Sequence, residues 1–129
     1  MLRRKRTKQA DPIVPAGLIA RTEKGDFLVK GSKRFKFVSE RARDSWNIHI
    51  VPTTELTMRD VKVAGIIGFR DGTLIRDIST HKIYLISDYK KLHVTDPDSL
   101  KGLGYSNKDI ILVSAKEAGV HQDGGTLSA

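Results

Sequence analysis

Two stretches of the chain place apolar and polar residues in the same order. "GDFLVKGSKRFKFV" covers residues 25–38 and "KIYLISDYKKLHV" covers residues 82–94. Each runs aromatic, leucine, aliphatic, then a polar turn, a basic pair, and apolar positions alternating with polar ones. Period-two alternation around a tight turn predicts a β-hairpin with one face buried. The expected turns are Gly31-Ser32 and Asp88-Tyr89. Phe35, Phe37, Leu92 and Val94 are the expected inward positions, with Lys36 and His93 facing water.

The flanks extend the match. "LIA" and "TLIRD" supply a third strand to each hairpin, and aligning Ala16 with Gly72 and Val51 with Val113 extends the repeat to both ends. After each hairpin comes a helix start. Ser39 caps "ERARDSW", and Thr95 or Asp96 caps "PDSLKGL" with Pro97 at the first helical position. Gly102 and Gly104 end the second helix, and "NIHIV" and "DIILV" close the units as strands. The pattern predicts an α+β, β-rich fold of two tandem β-β-β-α-β units preceded by an extended basic N-terminal arm. The expected boundaries are arm 1–15, unit one 16–56, connecting strand or linker 57–71, unit two 72–118 and flexible tail 119–129. A repeat of 40 to 50 residues suits a module that buries its core against a neighbour.

Charge changes this picture at one end only. Residues 1–10 carry Arg3, Arg4, Lys5, Arg6 and Lys8 without an acid, whereas 71–118 hold seven basic and seven acidic residues. Asp11-Pro12 and Val14-Pro15 favour extended backbone, so the arm is not expected to be helical. Clustered Lys and Arg attract phosphates or an acidic protein surface. A second basic patch is expected from Lys33, Arg34, Lys36, Lys90 and Lys91. Its phenylalanines alternate inward, which argues against base stacking.

Catalytic chemistry finds no constellation. His49, His81, His93 and His121 are scattered, and none stands at metal-ligand spacing. Serines 32, 39, 79, 87 and 114 fall at turns and caps. "GIIGFRDG" (65–72) matches neither phosphate-loop nor dinucleotide patterns, so its glycines are assigned to turns or bulges. Asp96 and Asp98 read as helix N-terminal acids. The expectation is a non-enzyme without cofactor or metal. The chain holds no cysteine, which excludes disulfides and thiolate sites. No apolar run reaches the roughly 20 residues that span a bilayer, and the basic N-terminus lacks a signal peptide's apolar centre.

Gly72-Thr73-Leu74-Ile75-Arg76, Tyr84-Leu85-Ile86, Lys90-Lys91, Leu103-Gly104-Tyr105 and Val113-Ser114 together resemble a small repeat of bacterial surface proteins and tailed-phage virion proteins. The first unit departs from it, with Phe27 for the tyrosine and only Trp46 near the place of Leu-Gly-Tyr. The resemblance implies a non-catalytic binding or structural module. It points to a minor virion component (head decoration, head–tail connector or tail part), made in the host cytoplasm and present in multiple copies. The implied partners are other virion proteins (capsid, connector or tail subunits), with nucleic acid reached through the arm and no membrane. The alternative is a nucleic-acid-binding accessory protein using the arm and the first repeat. A cell-surface module would need export.

Overall fold

The structure, a computed structural model, describes residues 17–127. It is β-rich and of α+β type, with two mixed five-stranded sheets and few helices among the described residues. The chain forms two compact units that are not sequential. Val38–Trp46 groups with the residues from Gly68 onward, whereas Asn47–Ile67 groups with the segment ending at Phe37.

In the first unit, β1 (Ile19–Thr22), β2 (Gly25–Lys30) and β3 (Lys33–Phe37) form an antiparallel meander. The chain then leaves for α1 (Glu40–Trp46) and returns as β4 (Ile50–Pro52), parallel to β1. A crossover of residues 53–61 leads to β5 (Lys62–Ile67), parallel to β3. Parallel neighbours require such crossovers because no tight turn can join them. The crossover also covers one face of the sheet: Met58 and Val61 pack on Ala20 and Val29, all four almost fully buried. Burial of each of the Val and Met side chains is worth roughly 1.5–3 kcal/mol.

The second unit holds α1 together with β6 (Leu74–Asp77), β7 (Ile83–Ser87) and β8 (Lys90–Val94). After β8 come the short helix α2 (Ser99–Gly102), β9 (Ile110–Val113), the helical turn α3 (Ala115–Ala118) and β10 (Asp123–Thr126). Leu100 of α2 packs on Leu74, Ile83 and Val94.

Both sheets have one strand order, β4-β1-β2-β3-β5 and, in the same sense, β9-β6-β7-β8-β10. Their hydrogen bonds coincide. Gly17 N–H donates to Val29 O and Gly72 N–H to Ile86 O, each at 2.7 Å, and both glycines have positive φ, 84° and 91°. A side chain there would be strained. Gly17 therefore corresponds to Gly72, one position from the sequence alignment, which set Ala16 there. The longer connection between β6 and β7 shifts the register. At the other end Ile19 pairs with Ile50 and Leu74 with Ile110, so Ile50 corresponds to Ile110. The sequence alignment of Val51 with Val113 was two residues out. Of the parallel edge strands, β5 and β10 are bulged, near Gly65 and Gly125.

The segment 57–71, expected as a connecting strand or linker, contains β5, an edge strand of the first sheet, whereas the expected flexible tail 119–129 contains β10, paired with β8. Each pairs in parallel with a strand far upstream, so no turn residue announces it.

Candidate functional site

The hairpins fall where expected. Lys30 and Lys33 flank Gly31-Ser32, and Ser87 and Lys90 flank Asp88-Tyr89. What the hairpins do with their basic residues differs from expectation. Arg34 is not part of a surface patch, because it is 6% exposed. Its guanidinium donates to both Glu55 oxygens at 2.8 Å, its Nε donates to Val61 O at 2.9 Å, and its Cζ lies 4.6 Å from the Phe27 ring centre. The crossover that carries Glu55 and Val61 roofs the face on which Arg34 lies, so this charge is buried with an acid supplied by the roof. Thr22 also donates to Glu55. The Arg34 hydrogen bonds hold the Glu55 carboxyl down at about 2, against a smaller opposing effect of burial.

Lys91 is the counterpart of Arg34. Its Nζ lies 5.3 Å from the Tyr84 ring centre and 3.9 Å from Asp123, and its side chain is largely covered. Lys36 is exposed but turned inward, donating to Lys24 O at 3.1 Å. Of the five expected patch residues, Lys33 and Lys90 remain as fully presented charges. The arm residues Arg3, Arg4, Lys5, Arg6 and Lys8 lie outside the described residues.

The sheet register assembles a different basic group. Lys30 is the cross-strand partner of Lys33, and Lys33 is the cross-strand partner of Lys62. Three exposed lysines therefore stand side by side across β2, β3 and β5. Adjacent strands are about 4.8 Å apart, so the row is roughly 10 Å long. None of the three has an ion pair among the described residues. The matching positions of the second sheet are Ser87 and its partner Lys90, with Gln122, the residue before Asp123, which pairs with Lys91. Sequence reasoning missed Lys30 and Lys62. The flanking of Gly31-Ser32 implies the first pairing, but nothing local indicates the second.

The buried polar groups of the second unit hold the fold together. His121, 2% exposed, donates from Nδ1 to Tyr89 O at 2.7 Å and accepts at Nε2 from Phe69 N–H at 3.0 Å. Only the neutral ring can do both. Burial, with a further contribution from Lys91, lowers its pKa against the raising effects of the Tyr89 carbonyl and Asp71. The Tyr89 hydroxyl accepts from Gly68 N–H at 2.7 Å, and Trp46 Nε1 donates to Gly68 O at 2.9 Å. Gly68 is required for closeness: a Cβ there would stand 2.5 Å from His121 Nε2 and 2.6 Å from Val120. Tyr105 donates to Gly72 O. Glu117 accepts from Ser39, Arg41 and Ser114. Burial raises its pKa, but the Ser39, Ser114 and Arg41 bonds together outweigh this and hold it at about 2.

No cluster of three or more potential metal ligands occurs among the described residues, and no described helix is long and apolar enough to cross a membrane. No protein-family model, curated protein or solved structure matches the chain.

Proposed function

We propose that the chain is a non-catalytic structural protein of a tailed-phage particle, built from two copies of one β-β-β-α-β module and docked on a larger assembly by its basic arm. The carrying observation is the coincidence of backbone hydrogen bonds at Gly17 and Gly72 within sheets of identical strand order. The resemblance of residues 72–118 to virion repeats gives the setting. The reading places the protein in the virion in multiple copies, as a head decoration, head–tail connector or tail component.

Two further features support it. Among the described residues, the buried charged or imidazole side chains, Arg34, Asp77, Glu117 and His121, are each engaged by hydrogen bonds that hold local structure. Charge is also uneven. The described part of the first unit carries eight basic and four acidic side chains, that of the second unit ten of each, and residues 1–10 add five basic ones. Deleting residues 1–10 tests the docking role: incorporation into particles is lost while the melting temperature is unchanged. Undiminished incorporation of the truncated chain contradicts it.

A further inference from the structure

We propose that the lysine row Lys30–Lys33–Lys62 is a contact surface for the sugar-phosphate backbone of duplex nucleic acid. Like charges directly opposite on adjacent strands destabilise a sheet. Here two successive cross-strand pairs are both Lys–Lys, with no acid paired to any of the three among the described residues. The second sheet shows that the scaffold does not need them, since Ser87 and Gln122 take the places of Lys30 and Lys62 around Lys90. A row without ion-pair partners, whose one further bond is a long one from Lys62 Nζ to Arg59 O at 3.5 Å, is suited to a partner that brings the negative charge.

The chemistry selects the partner. Lysines are compact point charges, suited to phosphates in varied orientation, whereas bidentate capture of carboxylates is the work of arginine. The arginine of this hairpin, Arg34, is buried on Glu55 and unavailable. Binding of single strands requires exposed aromatic rings for stacking. Phe27 and Phe37 are buried and Phe35 is half-buried, so the surface offers charge without a stacking platform. That combination fits a regular, base-paired backbone read without sequence preference. The row stands in the unit with excess positive charge and adds to the sequence-remote arm.

The test is a fluorescence-anisotropy titration of the full chain with a labelled DNA duplex over a series of salt concentrations. The comparison is K30S/K62Q, which installs the residues the second sheet already carries. The wild type binds the duplex, and the double variant lowers the slope of log K against log salt by about 2, roughly one per lysine removed. A variant lacking residues 1–10 shows the same difference when the two substitutions are added. Equal affinities and slopes for wild type and K30S/K62Q, at equal melting temperatures, overturn the proposal. So does no binding of the duplex by the wild type, tighter binding of poly-glutamate than of duplex, or tighter binding of a single strand. None of these outcomes bears on particle incorporation, so the two proposals fail separately.

Discussion

The Ser39 hydroxyl donates to Glu117 Oε2 at 2.6 Å, joining side chains 78 residues apart in sequence. The same oxygen of Ser39 accepts from Ala42 N–H and so caps α1, while Glu117 completes a capping box with Ser114. One carboxylate thus serves the starts of two helical segments within the second unit. Replacing Ser39 with Ala removes a cap and one donor to a buried carboxylate. The expected loss is about 1–2 kcal/mol in urea unfolding, with Ser39→Thr retaining most of the stability. A neutral result for Ser39→Ala would show that α1 is held by other contacts.

Glu55 and Glu117 both have folded pKa values of about 2, below the ordinary 4.5. A depressed carboxylate contributes stability in full above its unfolded pKa and loses it as pH falls toward the folded one. Thermal stability should therefore drop between about pH 4.5 and 2. In Glu117→Gln and Glu55→Gln the protein is less stable at pH 7 but its acid dependence over that window is flatter. Parallel melting curves against pH for wild type and variants would contradict this.

His121 works in the opposite chemical sense with the same direction. Its pKa is lowered in the fold, so the unfolded chain takes up a proton first as pH falls through the ordinary value of about 6.5. Stability is fully present above that value and declines below it. His121→Val leaves Phe69 N–H and Tyr89 O without their partner and costs about 2–4 kcal/mol. It also removes the loss of stability near pH 6. Nitrogen chemical shifts should report the Nδ1–H tautomer at pH 7. A charged ring at that pH is the contrary result.

Much of this arrangement was legible from sequence. Both hairpin turns, the strands around them and the Ser39 cap follow from local signals, because turn and cap chemistry lies within four residues of its effect. Arg34 escaped because alternation assumes one wet face. The crossover 53–61 covers that face and buries Arg34. Its partner, Glu55, is 21 residues away. His121 escaped for the same kind of reason: Phe69 and Tyr89, which bond its ring, lie 52 and 32 residues upstream. The pairings of β5 and β10 are equally non-local, and parallel, so the partner of β5 and the strand within the expected tail were not legible.

The lysine row carries a stability prediction independent of any ligand. Lys30→Ser and Lys62→Gln each relieve cross-strand repulsion, and each should raise stability by a few tenths of a kcal/mol at low salt. The gain shrinks as salt screens the charges. Destabilisation by either substitution would mean that the lysine stems pack favourably enough to outweigh their charge.

Quantitative mass spectrometry of tailed-phage particles purified from cells that produce the chain tests the proposed structural role most directly. The account predicts the protein in washed particles at a constant ratio to the major capsid protein across preparations. Its recovery only from the soluble host extract, with none in the particles, would contradict the account.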